Sequence, residues 1–178
     1  MNQVKQEIAS IAARLIIEDG SSYYDAKSKA QELVLNQSSL KTSKKNIPNN
    51  IELEAAIKKY SMLFYKKEYI QRLTELRKKA KVLMKLLEIF RPILVGSVAN
   101  ETVTKYSDIR ICCFTESTKE IAIELLNKGI NSDSDFLRHP NGKDLVEALT
   151  FIWKEELTII FALVHSESKA KLRGINLK

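Results

Sequence analysis

The chain has 178 residues, a formal net charge of +7, and a composition of 44% hydrophobic and 29% charged residues. These values are typical of one globular domain, or of one domain with a helical extension, and they exclude an intrinsically disordered chain. The longest apolar runs fall far short of the roughly 20 residues that span a bilayer. The N-terminus also lacks the layout of a secretory signal. We therefore expect a cytoplasmic protein without a membrane partner.

The first part of the chain predicts a helical hairpin over residues 3–34. Apolar residues recur at helical spacing over residues 4–17, and Gly20 suits the left-handed position that ends a helix. Ser22 offers an N-cap for a second helix. Residues 36–50 are rich in Ser, Asn and Lys, which predicts a linker.

Residues 51–90 contain no glycine or proline, and they predict one long helix or two helices with a bend near residues 67–69. Ten basic and five acidic residues lie here, so this segment holds most of the net positive charge. The positive charge is densest at Arg77, Lys78, Lys79 and Lys81. Two interpretations stay open: this stripe is a solvated outer face of the helix, or it contacts RNA or DNA.

From Pro92 onward the pattern changes to short strands around a helix. Residues 91–165 therefore predict a small mixed sheet with flanking helices, and residues 1–90 predict a helical region, so the fold class is α+β. A basic tail covers residues 166–178. Strands are expected at 93–95, 108–114, 145–154 and 157–164, an extended edge segment at 133–139, and a helix at 118–128.

A group of small and charged residues surrounds the first two of these strands. Gly96 and Ser97 follow the first strand, and Asp108 opens the second, directly after Ser107. Small residues after a strand let the backbone approach a phosphate closely. A carboxylate at the start of a strand can hold a divalent cation, and a second one two residues on would point to the same face. That second position holds Arg110, which carries only hydrogen-bond donors and cannot ligate a metal.

This arrangement resembles the Gly-Ser…Asp-x-Asp signature of the polymerase-beta-like nucleotidyltransferase superfamily. The stretch 90–114, together with residues 12–20, is also similar to a poorly characterised bacterial group of nucleotidyltransferase-like proteins. The resemblance implies a minimal nucleotidyltransferase-like domain over residues 91–165. It implies that Gly96, Ser97 and Ser107 contact the nucleotide phosphates. It implies that Asp108 binds a catalytic Mg²⁺ ion.

The family pattern is broken where the other two metal ligands would be. Asp108 would be the first metal ligand and, if the chain is active, the catalytic residue, but Arg110 occupies the second position. Thr158 is the residue expected nearest to the third position, and Glu156 is the closest acid that could replace it. We therefore expect a transferase-like protein with lost or reduced two-metal catalysis, in which Arg110 binds a phosphate directly.

Its partner would be a nucleotide, a nucleic acid or another protein. Two alternatives remain. In one, the chain is an active nucleotidyltransferase whose rearranged site holds Mg²⁺ between Asp108 and Glu156. In the other, it is a basic RNA- or DNA-binding module built on the helical segment of residues 51–90.

Two adjacent cysteines, Cys112 and Cys113, lie in the second predicted strand. Their side chains should point to opposite faces of the sheet, which argues against a disulfide between them. Two cysteines alone also make no zinc site. We expect both to be small buried thiols.

Overall fold

The computed structural model describes residues 3–37, 46–140, 144–164 and 172–177. Within these ranges it contains six α-helices and a six-stranded sheet, which confirms the predicted α+β class. None of the helices in this part of the chain has the length and apolar character of a membrane-spanning segment.

The chain divides into two compact units. The first comprises the residues up to Arg72 together with Thr102–Tyr106, and the second comprises Leu73–Glu101 and the residues from Ser107 onward. The expected division into residues 1–90 and 91–165 stays a prediction.

Three helices make up most of the first unit. They are α1 (Gln3–Asp19), α2 (Tyr23–Gln37) and α3 (Asn50–Phe64). Their apolar stripes meet in one core, which includes Ile8, Ala12, Ala26, Ala30, Leu53 and Ile57. The start of α3 is fixed by a capping box, because Asn49 and Glu52 each accept a hydrogen bond from the other's backbone N–H. The predicted linker lies largely at residues 38–45, outside the described residues.

A glycine at the end of α1 allows the segment Thr102–Tyr106 to pack against it. Gly20 has φ +71°, and a Cβ atom at this position would lie 2.9 Å from the Tyr106 ring. The Tyr106 hydroxyl donates a hydrogen bond to the backbone oxygen of Glu18 at 3.0 Å. Any side chain at residue 20 would therefore strain the backbone and displace this ring.

The helical segment that follows is a pair of helices. Helix α3 ends at Phe64, Tyr65 leaves the helical conformation, and α4 covers Lys66–Leu86. The break thus lies just before the bend predicted at residues 67–69, and neither glycine nor proline marks it in the sequence. A short 3₁₀ turn at Glu88–Phe90 leads from α4 into the sheet.

The second unit is built on a mixed sheet. Its strands are β1 (Ile93–Val95), β2 (Ile109–Phe114), β3 (Asp133–Arg138), β4 (Leu145–Trp153), β5 (Glu156–Leu163) and β6 (Gly174–Ile175). They lie in the order β3-β4-β5-β2-β1-β6, in which β2 and β5 are parallel and all other neighbours are antiparallel. Two further helices belong to this unit, α5 (Gly96–Asn100) and α6 (Thr118–Asn127).

The strand register separates the sheet into two faces. Arg110 pairs with Val95 on one side and with Ile159 on the other, and paired residues point to the same face. We call this the Arg110 face. The alternate residues, among them Ile111 and Ile160, point to the opposite face together with Glu156, and we call it the Glu156 face.

The described part of the basic tail adds the strand β6, which the sequence did not predict. Gly174 pairs with Val95, and a Cβ atom at Gly174 would collide with the side chain of Ile93. A glycine is therefore needed where β6 lies against β1. The rest of the predicted tail, residues 166–171 and 178, lies outside the described residues.

Candidate functional site

The Gly-Ser segment forms a tight turn between β1 and α5. Gly96 has φ +74°, and α5 begins at this residue. Because Val95 pairs with Arg110, the turn lies directly against the arginine, and a Cβ atom on Gly96 would be 3.3 Å from Arg110 Cδ. Glycine is therefore required by the left-handed backbone and by this close approach. Ser97 and Ser107 are both half-buried beside the same turn and strand start.

Asp108 and Arg110 form a two-pronged ion pair on the Arg110 face. Arg110 Nε donates to Asp108 Oδ1 at 2.9 Å and to Oδ2 at 3.1 Å, and Nη2 donates to Oδ2 at 2.9 Å. The Asp108 side chain is 16% exposed and the Arg110 side chain is 45% exposed. Both carboxylate oxygens thus accept hydrogen bonds from the guanidinium, in the bidentate geometry that arginine favours. The guanidinium charge beside both carboxylate oxygens opposes the binding of a divalent cation to Asp108.

Glu156 lies on the opposite face of the sheet from this pair. Thr158 pairs with Ile109 and Ile159 pairs with Arg110, so the alternation places Glu156 and Thr158 together on the Glu156 face. The expectation that Thr158 stands at the third metal position is therefore wrong by one residue. The structure does not bring Asp108 and Glu156 to one site.

The carboxylate of Glu156 forms an ion pair with Lys79. Lys79 Nζ donates to Glu156 Oε1 at 2.7 Å and also contacts Glu75 Oε1 at 2.7 Å. The Lys79 and Glu156 side chains are only 15% and 11% exposed. Hydrogen bonds to Glu156 and then to Glu75 raise the pKa of Lys79 above its ordinary value. In the part of the chain that the structure describes, no group of three or more His, Cys, Asp or Glu residues could hold a metal ion.

The predicted nucleic-acid stripe on α4 separates into two kinds of residue. Arg77 donates to the backbone oxygen of Val98 at 3.3 Å and to Glu101 Oε1 at 3.2 Å, and Lys79 is committed to Glu156. Arg77 and Lys79 therefore act as internal cations of the second unit. Lys78 and Lys81 are exposed on the surface of α4.

Both cysteines are fully buried, Cys112 on the Arg110 face and Cys113 on the Glu156 face. Burial raises the pKa of the Cys112 thiol to about 12, and burial first and then the neighbouring Cys112 raise the pKa of Cys113 as well. Neither thiol therefore forms the thiolate that a nucleophile or a metal ligand requires at neutral pH.

Sequence reasoning did not find the partners of these charged residues. Lys79 and Glu156 are 77 positions apart, and Arg77 and Glu101 are 24 apart. No local pattern signals such contacts, because they depend on how α4 packs on the sheet. Comparison with protein-family models, with curated proteins and with solved structures finds no match to the chain.

Proposed function

We propose that the chain is a nucleotidyltransferase-like protein of the cytoplasm that has lost two-metal catalysis and binds a nucleotide at the turn formed by Gly96 and Ser97. The observation that carries this proposal is the ion pair of Asp108 with Arg110. Asp108 is the one carboxylate that remains of the family signature. Arg110 places a fixed positive charge beside it, where catalysis would need a divalent cation.

The geometry of Arg110 supports phosphate binding at the same place. Its contacts with Asp108 use Nε and Nη2, so the N–H groups of Nη1 and the second N–H of Nη2 do not contact Asp108 and can bind a phosphate oxygen. The side chain is 45% exposed, which makes it accessible to a ligand. The turn at Gly96 lies against the arginine, so the backbone amides of Gly96 and Ser97 can approach the same phosphate. Ser107 and Asp108 lie just before the first residue of β2.

The loss of catalysis is tested by a transfer assay. The chain is incubated with each α-labelled nucleoside triphosphate, with Mg²⁺ or Mn²⁺, and with RNA or protein acceptors. We expect no transfer above background, because Arg110 stands where the second carboxylate of the signature would be and neutralises Asp108. Metal-dependent transfer that disappears in Asp108→Ala would contradict the proposal.

Nucleotide binding is tested separately with arginine variants. Arg110→Gln should weaken ATP binding at the Gly96 turn by roughly tenfold, since it removes a charged hydrogen-bond donor. Arg138→Gln is the matched control, because Arg138 is an exposed arginine on the edge strand β3. Equal affinities of the wild type and both variants would exclude Arg110 as a phosphate ligand.

The exposed lysines of α4 favour nucleic-acid binding as a second candidate function. Lys78, Lys81 and Lys85 are exposed and recur at i, i+3 and i+7, so they lie along one side of the helix. RNA binding through this stripe would weaken with salt, and neutralising Lys78 and Lys81 together would reduce the slope of that dependence by about two. An unchanged salt slope in the double variant Lys78→Gln, Lys81→Gln would remove this candidate.

A further inference from the structure

A cleft of about 860 Å³ lies within the second unit, at the C-terminal end of α4 and beside β6. Lys81, Lys85, Arg91 and Glu88 provide its charged lining, and Met84 and Ile93 belong to its apolar lining. This volume lies within the range of roughly 300–1,000 Å³ that is common for small-molecule sites. The cleft contains none of the residues assigned to the Gly96 turn.

The chain builds this cleft from one side of a helix, an unusual turn and a closely packed strand. Lys81, Met84 and Lys85 are at i, i+3 and i+4 on α4, so they point to one side. Arg91 adopts the left-handed conformation with φ 51° and ψ 56°, and its N–H donates to the backbone oxygen of Glu88 at 3.0 Å. A non-glycine residue in this conformation needs the surrounding structure to hold it there.

Gly174 completes the enclosure on the other side. Because it carries no side chain, β6 can lie directly on β1, and the residues that follow Gly174 reach the cleft. Without a bound ligand, the apolar residues that line this side of the cleft would be in contact with water.

Two cations of this cleft, Lys85 and Arg91, differ from the three second-unit cations whose contacts form the charged pairs described above. Arg77, Lys79 and Arg110 each form an ion pair with a carboxylate. Lys85 and Arg91 form no ion pair with any residue that the structure describes, although Glu88 lines the same cleft. Three basic residues against one acid leave the described lining with a net positive charge.

We propose that this cleft binds an organic phosphate of the mononucleotide class. The phosphate would bind Lys85 and Arg91, whose charges match a phosphate dianion, and arginine can contact two of its oxygens. The base or another apolar part would lie against Met84 and Ile93. A simple inorganic anion would bind only to the charged residues and would leave the apolar lining in contact with water.

The test uses the amide resonances of two glycines in the ¹⁵N-labelled full chain. Gly174 lines the cleft, and Gly96 forms the turn of the proposed nucleotide site. Titration with ATP and, in a second series, with inorganic tripolyphosphate then gives an apparent affinity at each amide. Because Gly174 pairs with Val95, next to Gly96, the variants of Lys85, Arg91 and Arg110 assign each affinity to its site. We expect ATP to shift the Gly174 amide with saturation at or below about 1 mM, and tripolyphosphate to bind there roughly tenfold more weakly.

Four charge variants decide whether the cleft residues hold the phosphate. Lys85→Gln and Arg91→Gln should each weaken ATP binding at Gly174 by roughly tenfold. Lys67→Gln is the matched control, an exposed lysine on the same helix outside the cleft, and we expect its affinity to stay within about twofold of the wild type. Glu88→Gln should strengthen binding several-fold, a result that damage to the fold cannot produce.

The outcomes separate this inference from the proposed function. No ATP-induced shift at Gly174, or equal weakening by Lys67→Gln and Lys85→Gln, would overturn the cleft site. Equal binding of tripolyphosphate and ATP would overturn the assignment to a nucleotide. Shifts at Gly96 alone, lost in Arg110→Gln, would overturn the cleft site and support the Gly96 turn. Shifts at Gly174 alone would support the cleft and contradict nucleotide binding at Gly96.

Discussion

The two faces of the sheet each carry one ion pair, and the two pairs differ in how far water reaches them. On the Arg110 face, the Asp108 and Arg110 side chains are 16% and 45% exposed. On the Glu156 face, the Glu156 and Lys79 side chains are 11% and 15% exposed. Both acids belong to the set that the sequence predicts as metal ligands, and both are neutralised by a cation. The comparison shows that one pair can meet a ligand, whereas the other holds α4 on the sheet.

We call Lys79–Glu156 the inner pair and Asp108–Arg110 the outer pair. Removal of Glu156, the acid of the inner pair, should have the largest effect on stability. Glu156→Ala leaves the Lys79 ammonium with only Glu75 as a partner in a poorly hydrated position. Breaking a buried pair by removing one partner is strongly destabilising, and the remaining contact with Glu75 reduces the effect. We expect the free energy of unfolding to fall by about 2 kcal/mol in urea titrations.

Glu75→Ala is the matched control for this variant. Glu75 contacts the same ammonium, but its side chain is 45% exposed and lies one helical turn from Lys79. Such pairs contribute about 0.3–0.5 kcal/mol. Equal losses in Glu75→Ala and Glu156→Ala would show that the inner pair is not the one that holds α4.

The inner pair should also depend on pH at the alkaline end. Its hydrogen bonds raise the pKa of Lys79 above the ordinary 10.5. The stabilisation is therefore fully present below about pH 10.5 and is lost as the pH rises through the higher pKa of the folded state. The difference in unfolding free energy between the wild type and Glu156→Ala should shrink above this pH, and urea titrations at pH 8 and near pH 11 would measure it. A constant difference would contradict the assigned pairing.

The outer pair should contribute much less to the free energy of unfolding. Asp108→Asn removes the charge that Arg110 contacts, but the exposed guanidinium is readily hydrated. We expect the free energy of unfolding to fall by less than about 1 kcal/mol. A loss as large as that of Glu156→Ala would mean that the Asp108–Arg110 pair is a structural element and not a surface open to ligands.

The smallest difference is expected between the reactivities of the two cysteines, one of which lies on each face of the sheet. Cys112 and Cys113 are both fully buried, one beneath each face. In the single variants Cys112→Ala and Cys113→Ala, the remaining thiol should react with a disulfide reagent only as fast as the protein unfolds. Faster reaction of Cys112 than of Cys113 would show that the Arg110 face opens in the native state.

The fold class was predictable because it depends on local patterns. The apolar spacing of α1, the capping residue Ser22 and the strand at residues 109–114 follow from periodicity and turn chemistry. The break at Tyr65 was predicted only approximately, since neither glycine nor proline marks it in the sequence. The strand at Gly174 was also missed, because two residues are too short to show an alternation.

The site was predictable only in part, since its chemistry depends on register. Gly96, Asp108 and Arg110 are close in sequence, and the structure brings them together at one turn. The placement of Glu156 required the register of β5 against β2, and a shift of one residue moves a side chain to the other face. Lys85 and Arg91 escaped notice because each is a single basic residue outside the dense run of the helix.

The proposed loss of a metal site at Asp108 is tested most directly by Mn²⁺ binding, followed by electron paramagnetic resonance of the free ion. The wild type is compared with Asp108→Asn at equal protein concentration and ionic strength. Because Arg110 occupies both oxygens of Asp108, we predict that the two proteins bind Mn²⁺ equally weakly. A Mn²⁺ site present in the wild type and lost in Asp108→Asn would contradict the account.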